Sequence, residues 1–238
     1  MVQNVIISFA GGSNRDQYIA AGMRLMKQAW ETGLFNQNML YNDEYLKNDK
    51  EFWSKHGDFI NKNVRGYGYY IWKSYLIKKT MAQLKDGDKL MWLDCGCEIG
   101  LKKKEALSAY LKYVETDYII GSKNGIEREW TKVDLIVKLD MMHAKYLENF
   151  QRQGGALLML VCDKTRALID EWYDLSCDYH LLDDSPDDHE RLGGFKEHRH
   201  DQSIFSLVSK KHNLFSEHPI EEAVYILRNN TGVSCITT

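Results

Sequence analysis

The sequence predicts an α/β fold, a mixed α/β/α sandwich with a mainly parallel central sheet, on three observations. Short runs rich in apolar and β-branched residues (2–9, 89–93 and 156–161) have strand length, not helix length. Longer stretches with apolar residues at helical spacing lie between them, and the two kinds of segment alternate along the chain. Only two prolines, Pro186 and Pro219, and no Gly/Ser-rich linker interrupt the 238 residues, so one domain spanning 1–238 is expected.

The first run ends in Ala10-Gly11-Gly12, a buried strand entering a turn. A helix follows, with Ser13 or Asn14 as its cap and Gly33 as its stop. Residues 38–41 read as a second short strand and 43–61 as helix or paired helical turns. Arg65-Gly66-Tyr67-Gly68 breaks the pattern before a helix over about 69–84, and Asp86-Gly87-Asp88 ends it. The run 89–93 then delivers Asp94 at its C-terminal end, the edge at which open α/β sheets bind ligands. Helix 103–114, strand 117–121, helical pieces in 131–150, strand 156–161, helix 163–179 and helix 201–211 complete the series. The polar stretch 182–198 is too long for a tight connection and reads as a mobile loop.

A formal net charge of −3, with no long basic face, argues against nucleic acid as a partner. The cluster Lys102-Lys103-Lys104 reads as solvated surface. Five scattered cysteines, an odd number in a chain large enough to bury a core, suggest reduced thiols and a cytoplasmic location. Residues 1–10 lack the basic and long apolar regions of a signal peptide, and no stretch approaches a membrane span. Cys95-x-Cys97 has no second pair at zinc-ligand spacing, so buried thiols are the simpler account.

Asp94 admits two readings. It caps the following turn, or it holds a divalent cation, a common reason to place a carboxylate at the end of a buried strand, and spacing alone favours neither. Mg²⁺ or Mn²⁺ shared between one or two carboxylates and a diphosphate would neutralise charge developing on a leaving phosphate.

Gly66-Tyr67-Gly68-Tyr69-Tyr70-Ile71-Trp72-Lys73, Asp86-Gly87-Asp88 and Trp92-Leu93-Asp94-Cys95-Gly96-Cys97-Glu98 resemble segments of GT-A-type nucleotide-diphospho-sugar glycosyltransferases of bacterial and large-virus glycan synthesis. Arg199-His200-Asp201-Gln202-Ser203 extends the resemblance towards the C-terminus. It implies a GT-A-like fold, a UDP- or GDP-linked sugar donor, a glycan or other hydroxyl acceptor, and a Mn²⁺ or Mg²⁺ cofactor. The family's D-x-D motif stands here as D-x-G, with Gly96 in the second place, so Glu98 is the candidate second ligand beside Asp94. A late histidine often completes such a site. Of His198, His200, His212 and His218, His218 is the candidate because it lies in a turn-like segment before Pro219, with an ordinary surface histidine as the alternative for each of the four.

Lys73 occupies the helix position from which similar enzymes reach the donor sugar or phosphate. Tyr67 and Trp72 are candidate stacking residues, although such aromatics are more often core. Asp201 is the catalytic candidate, either taking a proton from the acceptor or orienting the donor sugar, with first-turn complement to the helix dipole as the ordinary alternative. His200 and Gln202 flank it as substrate-binding candidates. Ser8, by fold position alone, is a candidate nucleotide contact. Gly154-Gly155 is either a close-approach site or an ordinary turn. Two other functional classes remain. A sugar-phosphate nucleotidyltransferase would carry a basic glycine-rich loop, of which Gly11-Gly12-Ser13-Asn14-Arg15 is a faint version, and a catalytically silent carbohydrate-binding protein would tolerate D-x-G.

Overall fold

A computed structural model describes residues 1–236. The chain begins β1 (Asn4–Ala10), α1 (Arg15–Thr32), β2 (Gln37–Asn42), α2 (Asp43–Asn48), α3 (Lys50–Lys62), the four-residue α4 (Gly66–Tyr69), α5 (Trp72–Met81) and β3 (Lys89–Leu93). It continues α6 (Lys104–Asp117), β4 (Ile119–Ile126), α7 (Glu127–Trp130), α8 (Val133–Lys138), α9 (Ala144–Leu147), β5 (Phe150–Leu160), α10 (Asp163–Ser176), α11 (Tyr179–Leu182) and α12 (Asp201–His212).

The five strands form one sheet in the order β2-β1-β3-β5-β4. β1 pairs in parallel with β2 and β3, whereas β5 is antiparallel to both β3 and β4. Every strand except β5 therefore points the same way, and the sheet is mainly parallel in direction, as expected. Strand alternation divides the core into two layers. Val5, Ile7, Phe9, Leu90, Trp92, Leu157 and Met159 face the helices α3, α5, α10 and α12. Ile6, Met91, Leu93, Ala156 and Leu158 face α1, α6 and the segment around Ile220 to Val224.

Three local features depart from the sequence expectation. β5 begins at Phe150, so Gly154 and Gly155 lie inside a strand and not in a turn. The helix expected from residue 69 begins at Trp72 because Gly66, Tyr67, Gly68, Tyr69 and Tyr70 all have positive φ, between 53° and 82°. That left-handed turn costs roughly 1 kcal/mol at each tyrosine. Its ring contacts offset the cost: Tyr67 stacks near Phe9 at 6.1 Å between centroids, and Tyr69 lies 4.7 Å from the His200 ring. Finally, the segment 183–200 is fastened at several points. Asp134 accepts hydrogen bonds from the backbone N–H groups of Asp188 and His189, Lys132 reaches Ser185, and Lys196 pairs with Glu129.

Candidate active site

Four elements meet at the C-terminal end of β3. Asp94 leaves the strand with its N–H bonded to the Gly155 carbonyl at 2.8 Å, and its own carbonyl accepts from Cys97 at 2.8 Å, which closes the Asp94–Cys97 turn. The Trp92 indole donates to Asp94 Oδ1 at 2.9 Å and aims the carboxylate. Asp94 Oδ2 takes no hydrogen bond among the described residues, and the side chain is 48% exposed.

Lys73 arrives from the first turn of α5. It is 4% exposed, yet its ammonium reaches Asp94 Oδ1 at 3.1 Å, the Gly154 carbonyl at 3.2 Å and Asp201 Oδ2 at 3.6 Å. The rings of Trp92 and Tyr70 lie 5.5 and 5.6 Å away and present faces to the charge. Burial alone would lower the Lys73 pKa, but Asp94 and Asp201 outweigh it and hold the group above its ordinary value. Lys73 is therefore a fixed cation and not a proton carrier.

Asp201 opens α12 and is buried, with Oδ2 lacking any hydrogen-bond partner. Burial raises its pKa to about 7 against the pull of Lys73, and the Asp94 charge adds to the rise. Two neighbours fix its position. The Trp172 indole donates to the Asp201 carbonyl at 2.9 Å, and Gln202 bonds both Gln151 (2.7 Å) and the Gly154 N–H (3.3 Å), which ties the helix to β5. His200, just before, adopts φ 53° and ψ −125°, a region that strongly favours glycine. Its Nδ1 bonds the Leu182 carbonyl at 2.9 Å, while Nε2 is buried without a hydrogen-bond partner, and burial lowers its pKa.

The glycines on β5 make this convergence possible. A Cβ on Gly155 would stand 3.0 Å from Asp94 Oδ2, whereas one on Gly154 would clear Asp201 Oδ2 by 3.7 Å. The sequence singled out the pair but not which member the site needs.

Among the sequence candidates, Asp94, Lys73, Asp201 and Gln202 come together, with His200 immediately behind Asp201. Tyr67 and Trp72 pack under the β1 end of this region: the Trp72 ring stacks on Phe9 at 4.0 Å, and its indole donates to the Gly66 carbonyl. The Tyr67 hydroxyl is buried without a partner, and burial, with Asp43 nearby, pushes its pKa up to about 12. Ser8 is buried, and its hydroxyl donates to the Leu93 carbonyl at 2.6 Å where β1 and β3 part.

Glu98 and His218 are not brought to Asp94. Glu98 is fully buried, and its oxygens accept from Gln28, Asn229, Ser234 and the Cys235 N–H. Burial would raise its pKa, but those hydrogen bonds prevail and hold it at about 2. Its lone pairs bind the C-terminal segment in place of a metal. His218 Nδ1 contacts Asp117 at 2.8 Å, just before β4. Ile119 of β4 is level with Met159, itself level with Leu90, so His218 sits near the opposite end of the sheet, roughly 13 Å of strand from Asp94 at about 3.3 Å per residue.

For a divalent cation at Asp94, the protein offers the free Oδ2. That donor fits an ion held mainly by substrate phosphates and water, but it does not make a protein cage. Elsewhere, Asp134, His180 and Asp188 bring three potential ligand atoms within 4.8 Å of one another. Asp134 there also accepts from His189 and the two backbone N–H groups, and it thereby fastens the 183–200 segment.

No family profile matches the chain, and no curated protein matches it. Solved structures do superpose on it. Mouse xyloside xylosyltransferase 1, apo form, aligns over 92% of this chain and 86% of its own, at 12% identity and a TM-score of 0.47. Galactosyltransferase LgtC, in complex with donor and acceptor sugar analogues, aligns over 89% and 72%, at 12% identity and a TM-score of 0.47. A glycosyltransferase involved in glycosylation of the major capsid of PBCV-1 aligns over 73% and 66%, at 11% identity and a TM-score of 0.39. All three are named as glycosyltransferases.

Proposed function

We propose that this chain is one glycosyltransferase domain that moves a sugar from a UDP- or GDP-linked donor to a hydroxyl of a glycan or similar acceptor. The observation that carries the reading is the meeting of Asp94, Lys73 and Asp201 at the glycine-lined end of the sheet, where the half-exposed Asp94 carboxylate touches a buried ammonium that also faces the buried Asp201 carboxylate. Lys73 holds the donor sugar or its phosphates, with Gln202 fixing α12 against β5. Asp94 would hold a Mn²⁺ or Mg²⁺ ion together with the donor's own phosphates, and the ion would supply charge neutralisation for the leaving group. Asp201, poised near neutral pH, either accepts the proton of the attacking hydroxyl or fixes the donor sugar. No described helix is long and apolar enough to cross a membrane.

A catalytically silent carbohydrate-binding protein is the second reading, favoured by the pairing of Asp94 Oδ1 with Lys73 and by glycine at position 96. One experiment separates the two. Sugar transfer and donor hydrolysis are measured with UDP- and GDP-sugars for the natural chain, Asp94→Asn and Asp201→Asn. Transfer that falls at least a hundredfold in Asp94→Asn, with the fold intact, supports the enzyme. Donor binding without turnover in all three proteins supports the silent module, and neither binding nor turnover with any donor removes both.

A further inference from the structure

The segment 183–200 is gathered around one buried carboxylate. Asp134, in the first turn of α8 and 7% exposed, accepts from the backbone N–H groups of Asp188 and His189, and the His189 Nδ1 lies 2.7 Å from its Oδ1. Its Oδ2 stands 2.6 Å from His180 Nε2, and Asp188 Oδ2 stands 3.7 Å from the same nitrogen. One ligand atom each from Asp134, His180 and Asp188 therefore lies within 4.8 Å of the other two.

The far side of the His180 ring decides what this contact requires. Its Nδ1 meets the Ser185 hydroxyl at 3.1 Å. That hydroxyl donates its one hydrogen to Asp183 Oδ1 and accepts from Lys132 Nζ at 3.0 Å, so towards the imidazole it only accepts. The proton of the neutral ring is thereby placed on Nδ1, and Nε2 turns a lone pair towards the Asp134 carboxylate. Two lone pairs at 2.6 Å repel, so a cation belongs between them: a second proton on the ring, or a metal ion. A proton serves Asp134 alone. A divalent ion also neutralises Asp188, whose ligand oxygen is close to both.

We infer that Asp134, His180 and Asp188 bind a zinc ion that locks the 183–200 segment against α8 and α11. One imidazole nitrogen and two carboxylate oxygens, with water in the fourth place, make a donor set that zinc takes. Zinc ligands at tetrahedral angles stand roughly 3.4 Å apart. The His180–Asp188 pair is already near that spacing, and the His180–Asp134 pair reaches it by a shift of the ring, which is 35% exposed. The bond from Nδ1–H to Ser185 is the outer contact that fixes the tautomer and the aim of a metal-bound imidazole. The site shares no residue with the Asp94 region and stands whether or not the chain transfers sugar.

The test is calorimetric titration of the chelator-dialysed full chain with zinc chloride. It compares the natural protein, His180→Ala, Asp188→Asn, the exposed neighbour Glu190→Gln and Asp94→Asn, with thermal melts to verify folding. Asp134 is left in place because it also fastens the segment through backbone N–H groups. The expected result is one zinc ion per chain, bound about tenfold or more weakly after either the His180 or the Asp188 change and altered less than about twofold by the other two. Zinc should also slow tryptic cleavage after Arg191 in the natural chain and not in His180→Ala. Absence of zinc binding at 100 μM, or binding unchanged in His180→Ala, would show that a proton holds His180 to Asp134 and overturn the site. Weakening by His180→Ala with Asp188→Asn unchanged overturns the three-ligand assignment, and loss in Asp94→Asn alone would place the ion at Asp94 instead.

Discussion

The Lys73 ammonium lies 3.1 Å from Asp94 and 3.6 Å from Asp201, so one buried cation holds two carboxylates that would otherwise repel each other. Removing it should cost most where both acids are ionised. Asp201 already titrates at about 7 in the folded chain against an ordinary value of 3.8, so its ionisation lowers stability as pH climbs through that window. In Lys73→Met the folded value rises further and stability should keep falling above pH 7. Urea unfolding should show a loss of about 3 kcal/mol at pH 8 and a clearly smaller one at pH 5. An equal loss at both would mean that the lysine stem, and not its charge, matters.

The two β5 glycines should respond differently to a single methyl group. Gly155→Ala places a Cβ 3.0 Å from Asp94 Oδ2 and must displace the carboxylate, whereas Gly154→Ala leaves 3.7 Å to Asp201. Donor turnover should drop tenfold or more in Gly155→Ala and less than threefold in Gly154→Ala, with melting temperatures within a few degrees of the natural chain. The reverse order would show that Asp201, not Asp94, is the crowded member of the site.

What the sequence made legible was local. The strand ending at Asp94 and the helices of α1, α10 and α12 are read from apolar spacing and caps, because those signals lie within a dozen residues. The polar first half of β5, Gln151-Arg152-Gln153-Gly154-Gly155, carries no strand pattern: Gln151 is buried to bond Glu127, Thr131 and Ser203, partners 20 or more residues distant. The left-handed turn at Tyr67 to Tyr70 hides for the same reason, since its strain is offset by contacts such as Tyr69 on His200. Glu98 shows the limit most clearly. Its spacing from Asp94 suits a ligand, but its partners are Gln28, 70 residues before it, and Asn229, Ser234 and Cys235, more than 130 residues on, in a segment with no pattern of its own.

The buried Glu98 carboxylate gives a pH prediction. Its folded pKa is depressed from 4.5 to about 2, so its contribution is fully present above about pH 4.5 and is lost as pH falls towards 2. A shift of that size corresponds to on the order of 3 kcal/mol. Glu98→Gln should be less stable at pH 7, and the difference from the natural chain should shrink between pH 4.5 and 2. Denaturant unfolding at pH 7, 4 and 2.5 checks it; a gap that stays constant would mean that the carboxylate charge contributes nothing.

Restoring the second aspartate of the motif should not build a metal site. In Gly96→Asp the new Cβ would meet Asn230 Oδ1 and the Leu227 carbonyl at 3.0 and 3.1 Å, and backbone at Arg228 leaves no flexible tip to swing aside. A carboxylate would also meet the Leu227 carbonyl oxygen, which repels it. The C-terminal segment should therefore lift, breaking the bond from the Asn229 N–H to the Gly96 carbonyl and loosening Cys235 from Glu98. Faster amide exchange at Asn229 and Cys235, and quicker modification of the Cys235 thiol, are the expected outcomes, with no gain in Mn²⁺ affinity. Tight Mn²⁺ binding with the segment still protected would show that the turn has room for both carboxylate and segment, contrary to the packing around Gly96.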